Sequence, residues 1–319
     1  MKFHQKSPEV TVTDYRIYDA QGQPSDLAQM ISAAAEADVV FIGEEHDDPV
    51  AHFLEKEILR ELRTACGGDG NGGLSRPLVL SMEMFERDIQ MVVDEYFGDL
   101  ITERHFRSAV RPWWNYQTDY RPVVEFAREK KIPLVAANAP GRYVNRVSRL
   151  GPEALGDLSP TAAAWLPPAP WAEASDACRR KFRKFWDESA KQAEASRKKR
   201  PPESPPPPHG SGMEAFDFEH ILSAQTLRDA AMADAIAHAL ERHPGGQILH
   251  ICGKFHSAGG LGVPEHLARY RPGVRMLAVT ISAEAHFPEF VPDEQNAGDF
   301  MIITNPALKR PPRTFGMGF

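Results

Sequence analysis

The fold of this chain is indicated first by residues 38–48, DVVFIGEEHDD. Residues 38–43 form an apolar run of strand length, and five acidic or histidine residues follow its glycine. An apolar run of this kind is typical of a strand that is buried on both faces, as in a parallel sheet. Glycine lets the backbone turn sharply where such a strand ends. The stretch therefore predicts a buried strand that leads into a turn rich in polar groups.

Five more apolar runs of similar length occur along the chain, at residues 77–83, 132–138, 247–252, 276–282 and 299–304. Amphipathic segments with apolar residues at helical spacing lie between them, at residues 26–36, 49–65, 120–130 and 216–243. Alternating strands and helices predict an α/β fold with a mostly parallel sheet and helices on both faces.

Residues 158–212 interrupt this alternation. The segment contains WLPPAPW near its start and closes with PPESPPPPHGSG, and such proline runs cannot continue a helix or a central strand. Between them lies a charged helical stretch in which Phe182, Phe185 and Trp186 share one face. We therefore expect an α/β body of residues 1–157 and 213–319. Residues 158–212 are expected to form a small helical subdomain or lid with proline-rich links.

Composition limits the classes of protein that fit. The 319 residues are 42% hydrophobic, so a packed core is feasible, and the net charge of −7 argues against a dedicated nucleic-acid binder. Three cysteines without CxxC spacing predict neither a disulfide framework nor a zinc ribbon. The sequence has no signal-peptide core and no apolar stretch of membrane-spanning length. We expect a cytoplasmic protein as given, or a periplasmic or membrane-attached one if an export signal was removed.

Two turns at predicted strand ends share the pattern Gly-x-x-His, at Gly43–His46 and Gly253–His256. Ligands of open α/β sheets bind outside the carboxyl ends of the strands. Neutral imidazole is a ligand for zinc, iron and copper. With Glu83, which ends the second apolar run, the two histidines would supply three metal ligands and leave one position open.

Purely structural roles of the same residues are also possible interpretations. A single Gly-x-x-His is a weak signal, Glu83 could cap a helix, and Asn138 before Ala-Pro suits an ordinary turn.

The sequence contains no HExxH, GxSxG, P-loop or GxGxxG motif. Several hydrolase classes and the common nucleotide-binding folds are therefore disfavoured.

Six segments taken in order resemble the ChaN-like family of haem-binding uptake proteins, within the Tiki, TraB and erythromycin-esterase-like superfamily. The segments are VVFIGEEHDDPVAH, LVLSMEMFER, WWNYQTDYRPVVEFA, LVAANAP, AQTLRDAAMADAIA and HICGKFH. The resemblance extends over about residues 36–304, apart from the insertion. It implies an α/β body with a small helical subdomain, a pocket that accepts haem, and a role in iron or haem uptake.

The resemblance also implies site residues. Haem-binding members look tyrosine-ligated, and the tyrosines that could serve here are Tyr116, Tyr120 and Tyr143, with the choice left open. His46, His256 and Asn138 would line the pocket at the carboxyl edge of the sheet, and Arg121, Arg142 or Arg146 could pair with a haem propionate. The ligand is then haem or another small molecule, and the question of a homodimer is left open.

The alternative function is a metal-dependent hydrolase of the Tiki or esterase kind. A divalent metal ion would be bound by His46, Glu83 and His256, the set that the superfamily pattern matches here. Glu83 or Glu45 would otherwise act as the general base on a water molecule. A third reading is an inactive scaffold that only binds a partner. Whether the chain is an enzyme is undecided at this point.

Overall fold

The computed structural model describes residues 8–67, 75–198, 217–291 and 297–309, with side chains up to residue 191 in the second range. The strands within these ranges are β1 (Tyr15–Asp19), β2 (Pro24–Ser25), β3 (Val39–Glu44), β4 (Leu78–Glu86), β5 (Leu134–Asn138), β6 (Gln247–Gly253), β7 (Met276–Ala283) and β8 (Phe300–Thr304). They form one sheet in the order β2-β1-β8-β7-β3-β6-β4-β5. From β8 to β5 all neighbours are parallel, whereas β1 pairs antiparallel with both β8 and β2.

The helices of the described ranges are α1 (Leu27–Ala35), α2 (Pro49–Ala65), α3 (Gln90–Phe97), α4 (Glu103–Ala109), α5 (Arg121–Glu129), α6 (Gly141–Leu150), α7 (Pro160–Ala163), α8 (Asp176–Lys198), α9 (Phe218–Arg242) and α10 (Val263–Tyr270). The predicted α/β fold with a mostly parallel sheet is confirmed. Each of the six apolar runs forms a strand of the parallel part of that sheet.

Burial on both faces explains why the central strands carry no alternating pattern. Val40 and Ile42 of β3 belong to one apolar cluster with Leu54 and Ile58 of α2. On the other face of the strand, Val39 and Phe41 join a second cluster with Met232 and Ile236 of α9. Burying each such side chain contributes roughly 1.5–3 kcal/mol, so both helices hold the strand strongly.

Two features of the sheet differ from the sequence prediction. The antiparallel edge strands β1 and β2 were not predicted, because they are short and only partly buried. Strand β4 does not end at Glu83 but continues to Glu86, with a bulge against β5 between Met82 and Glu86. A bulge interrupts the regular alternation of side chains, and Glu83 lies in this irregular part of β4.

The loop between β3 and α2 is tied down at its end. One carboxylate oxygen of Asp48 accepts a hydrogen bond of 2.9 Å from the backbone N–H of Val50, which caps α2, and Pro49 occupies the first turn. The other oxygen accepts a hydrogen bond of 2.6 Å from the hydroxyl of Thr304 at the end of β8. The helix therefore starts at a fixed distance from the sheet edge, which holds the intervening polar residues in place.

The described chain falls into two compact units. One runs to Asn138 and resumes at Met232, and the other is Ala139–Ala231. In the second unit Val144 and Val147 of α6 belong to one apolar cluster with Leu227 of α9. Phe182 of α8 is fully buried and lies 5.4 Å from the Phe218 ring between centroids. The predicted insertion at residues 158–212 falls within this unit, and residues 199–212 lie outside the described ranges.

Candidate functional site

His46, Glu83 and His256 meet around Gly253 at the end of β6. The backbone N–H of Gly253 donates to Oε2 of Glu83 at 2.8 Å, and Oε1 of Glu83 lies 3.5 Å from Nε2 of His256. A Cβ placed on Gly253 would lie 3.0 Å from Nε2 of His46 and 3.7 Å from Oε2 of Glu83. The His46 ring is thus too close to Gly253 to accept a Cβ without moving, whereas Glu83 would be in ordinary van der Waals contact with it.

The sheet register explains this convergence. Glu44 of β3 pairs with Gly253 of β6, and Met82 of β4 pairs with Ile251 on the other side of β6. The three strands therefore reach the carboxyl edge side by side in the order β3, β6, β4. Glu83, in the bulged part of β4, accepts the hydrogen bond from the last residue of β6.

Glu44 holds the imidazole of His46. Oε1 of Glu44 lies 2.5 Å from Nδ1 of His46 and accepts a hydrogen bond of 3.0 Å from the hydroxyl of Tyr120. Burial lowers the pKa of His46, but the Glu44 carboxylate, with help from Glu83, raises that pKa to about 9. The His46 side chain is 40% exposed, and its ring packs edge-on against Trp113 with 4.8 Å between the ring centroids. His46 is thus an oriented imidazole that is reachable from solvent.

A second group of titratable residues lies deeper and was not predicted from the sequence. Nδ1 of His52 is 3.2 Å from both carboxylate oxygens of Glu55, and one oxygen or nitrogen each of Glu44, His52 and Glu55 lie within 4.8 Å of one another. All three residues are buried. Burial raises the pKa of Glu55 to about 7, although His52 has the opposite effect. Burial lowers the pKa of His52, but the Glu55 carboxylate raises that pKa to about 10.

The sequence signal for this group is the spacing His52-x-x-Glu55, which puts both residues on one face of α2. Leu54 and Ile58 of the same helix belong to the apolar core. His52 and Glu55 are buried beside them and contact each other.

The three candidate tyrosines differ in exposure. Tyr120 is fully buried with its hydroxyl on Glu44, and Tyr116 is buried against Phe85 and Phe106. Burial raises the pKa of both phenols, which disfavours the phenolate. Tyr143 on α6 is only partly buried, and the Arg142 guanidinium lies 4.5 Å from its ring centroid and 5.4 Å from that of Trp165.

The other predicted residues occupy distinct places. Asn138 ends β5 opposite Glu86, and its side-chain oxygen is buried with no hydrogen-bond partner among the described residues. Glu45 contacts the ammonium groups of Lys254 at 2.5 Å and Lys309 at 2.6 Å. Burial raises the pKa of Glu45, but Lys254 and Lys309 lower it by more, so the pKa lies below its ordinary value. Glu45 is therefore an ion-paired carboxylate, and a lowered pKa makes it a weaker general base.

No helix within the described parts of the chain combines the length and the apolar character needed to cross a membrane. Residues 30–267 match the model of the haem-binding uptake family ChaN, of the Tiki superfamily. No curated protein matches the sequence significantly.

One solved structure shares this fold, and two others align with lower scores. ChaN of Campylobacter jejuni, described with cofacial haem binding, aligns over 93% of this chain and 100% of its own, with a TM-score of 0.62 and 16% identity. A mutant of the erythromycin esterase EreC in its open conformation aligns over 92% of this chain and 83% of its own, with a TM-score of 0.44 and 15% identity. The structure of the type III effector HopBA1 aligns over 86% of this chain and 91% of its own, with a TM-score of 0.44 and 11% identity.

Proposed function

Since this chain belongs to the ChaN family of haem-binding uptake proteins in the Tiki superfamily, we propose that it binds haem during iron or haem uptake or handling. Haem is the cargo in this proposal and not a resident catalytic group. The choice of the axial ligand rests on the exposure of the three tyrosines, because an axial ligand must present its oxygen to the iron.

Tyr143 is the axial ligand that we propose. Phenolate oxygen is an established ligand of ferric haem, and a partly exposed ring can present it without rearrangement of the core. Tyr116 and Tyr120 would each have to leave the apolar core first. Beside Tyr143, the Arg142 guanidinium supports the proposal because Arg pairs strongly with carboxylates such as the haem propionates. Trp165 offers a flat apolar ring next to that guanidinium.

A titration of ferric haem into the purified protein tests this assignment. We expect a saturable change of the Soret band at about one haem per chain. Tyr143→Phe should alter the spectrum of the bound haem and weaken binding, because the phenolate oxygen is lost. Tyr15→Phe is the matched control, since Tyr15 is also partly buried but lies in β1. A Tyr143→Phe spectrum identical to that of the wild type would remove Tyr143 as the ligand, and His46→Gln would then be tested as the next exposed candidate.

The cofacial haem of the Campylobacter jejuni relative supports a homodimer in the haem-bound state. Two haems that lie face to face can join the haem-bearing surfaces of two chains. Light scattering after size-exclusion chromatography should therefore show a doubling of mass when haem is added. An unchanged mass at full haem loading would contradict this part of the proposal and leave haem binding itself intact.

A metal-dependent hydrolase is the second candidate, favoured by the meeting of His46, Glu83 and His256. The 3.5 Å between Glu83 and His256 resembles the separation of about 3.3 Å expected between two ligands of one tetrahedral ion. His46 keeps its ring in place through Glu44 and presents Nε2 near Gly253. A bound divalent ion would lower the pKa of a water molecule and make it a nucleophile.

A screen of peptide and ester substrates with Zn²⁺, Mn²⁺ or Co²⁺ tests the second candidate. Metal-dependent turnover that disappears in His256→Gln and persists in Tyr143→Phe would support the hydrolase. Absence of turnover with every metal would leave haem binding as the function of the chain.

A further inference from the structure

We infer that Glu44, His52 and Glu55 form a buried binding site for one divalent transition-metal ion that accepts nitrogen and oxygen ligands, such as Zn²⁺ or Mn²⁺. This site lies behind His46 and shares no ligand with the group around Gly253. It is also independent of the haem proposal.

The candidate ligand atoms of the three residues lie close together. One atom from each lies within 4.8 Å of the others, so small side-chain movements would bring all three within bonding distance of one ion. Nδ1 of His52 is 3.2 Å from both oxygens of Glu55. A charge-assisted hydrogen bond would favour one oxygen at about 2.7–2.9 Å, whereas two ligands of one tetrahedral ion lie about 3.3 Å apart.

An orphan oxygen gives an independent indication of a cation. Glu44 is 1% exposed, and its Oε2 has no hydrogen-bond partner among the residues that the structure describes. Its Oε1 is already used by Tyr120 and His46. A buried carboxylate oxygen without a partner is costly in free energy, and a cation between Glu44, His52 and Glu55 would satisfy it.

The rest of His52 is arranged as in metal-binding histidines. Its Nε2 faces the backbone carbonyl oxygen of His46 at 3.3 Å and the carboxylate of Asp119 at 4.0 Å. Metal-ligating histidines donate their other ring N–H to a carbonyl or a carboxylate, which fixes the tautomer with a lone pair on the metal side. Asn115 donates to the same carbonyl of His46 at 2.8 Å, which holds that oxygen in position.

Charge and ligand type decide which ion fits. Two carboxylates and an imidazole that releases its proton when the metal binds carry two negative charges, which one divalent ion would neutralise in a buried place. One nitrogen and two oxygen ligands suit Zn²⁺ or Mn²⁺, whereas Mg²⁺ prefers oxygen ligands and keeps several waters. We expect Mg²⁺ to bind much more weakly.

The test uses the full chain after dialysis against a chelator, with bound metal counted by mass spectrometry after equilibrium dialysis. A Glu83→Gln/His256→Gln background removes the group around Gly253, so that the buried site is measured alone. We expect this background to bind one Zn²⁺ or one Mn²⁺ per chain. Adding Glu55→Gln, which keeps the side-chain size, should weaken binding by at least about 100-fold, because outer partners of a metal site alone are worth 10–100-fold.

Loss of all binding in the Glu83→Gln/His256→Gln background would overturn the inference, as would an unchanged affinity after Glu55→Gln. If the added variant fails to fold, crystals of Zn²⁺-loaded wild-type protein decide the question. An anomalous peak about 2.0–2.2 Å from Nδ1 of His52 supports the site. Anomalous density confined to the group around Gly253 contradicts it.

Discussion

Oε1 of Glu44 lies 2.5 Å from Nδ1 of His46, only two residues away in the chain. Glu44 is the last residue of β3 and His46 lies in the turn that follows, so the turn folds the imidazole back onto the strand end. The contact occupies Nδ1 and leaves Nε2 near Gly253. It makes Glu44 the residue that sets both the orientation and the charge of His46.

This contact predicts that stability falls at alkaline pH. The pKa of His46 is lowered by burial but raised by Glu44 to about 9, above the ordinary value of 6.5. A raised histidine pKa stabilises the fold fully below about pH 6.5, and that contribution is lost as the pH rises through about 9. We expect a loss of about 1 kcal/mol for His46, because solvent screens a ring that is 40% exposed.

Urea unfolding at pH 6 and pH 9.5 measures this loss, with His46→Gln as the comparison. His52 changes stability in the same direction, since Glu55 raises its pKa to about 10 against burial. The difference between wild type and His46→Gln therefore isolates His46. Equal pH dependence in the two proteins would show that the contact with Glu44 contributes nothing to stability.

Gly253→Ala should destabilise the protein by about 1–3 kcal/mol and move His46. The new Cβ would lie 2.9 Å from Cε1 and 3.0 Å from Nε2 of the imidazole, and overpacking of a filled site costs energy of this order. The backbone of Gly253 has φ of −58°, so strain of the main chain is not the cause. Thermal unfolding and the NMR signals of His46 report the two effects.

Gly156→Ala is the matched control for that variant, because a Cβ at Gly156 would have nothing within 4 Å. Its stability should stay within about 0.5 kcal/mol of the wild type. Equal effects of the two substitutions would mean that the space above Gly253 is not filled as described.

The parallel part of the fold could be predicted because burial on both faces leaves a direct trace in the sequence. Val39–Glu44 is apolar up to Gly43 for the reason that α2 covers one face and α9 the other. Because parallel strands end at the same edge of a sheet, the turns Gly43–His46 and Gly253–His256 could be predicted to lie at one edge. Strands β1 and β2 left no such trace, because they lie at the antiparallel edge.

The deeper part of the site could not be predicted, because it depends on tertiary packing. His52 and Glu55 stand at helical spacing, but only the position of α2 brings them to Glu44. The three tyrosines likewise look equivalent in the sequence. Their exposure separates them, and that depends on the cluster of Phe85 and Phe106 around Tyr116.

Tyr116→Phe and Tyr120→Phe should differ in their effects on stability. The hydroxyl of Tyr116 is buried without a hydrogen-bond partner among the described residues, so its removal should be neutral or stabilising by up to about 1 kcal/mol. The hydroxyl of Tyr120 donates to the Glu44 carboxylate at 3.0 Å, and its loss should cost about 1.5–3 kcal/mol. Chemical denaturation measures both, and a destabilised Tyr116→Phe would mean that its hydroxyl has a partner.

Phe182→Ala should loosen α8 and, if this helix is the lid that the sequence predicts, speed the loss of bound haem. Phe182 is fully buried and packs against Phe218 at 5.4 Å and Trp186 at 6.1 Å, so its truncation should cost about 3–5 kcal/mol. Phe185→Ala on the same helix is the control, since Phe185 is 39% exposed and its truncation should cost far less. Transfer of haem to an excess of apomyoglobin gives the rate of loss. A faster loss in Phe182→Ala alone supports a lid that needs an ordered α8. Equal rates in both variants and the wild type would show that α8 does not retain the ligand.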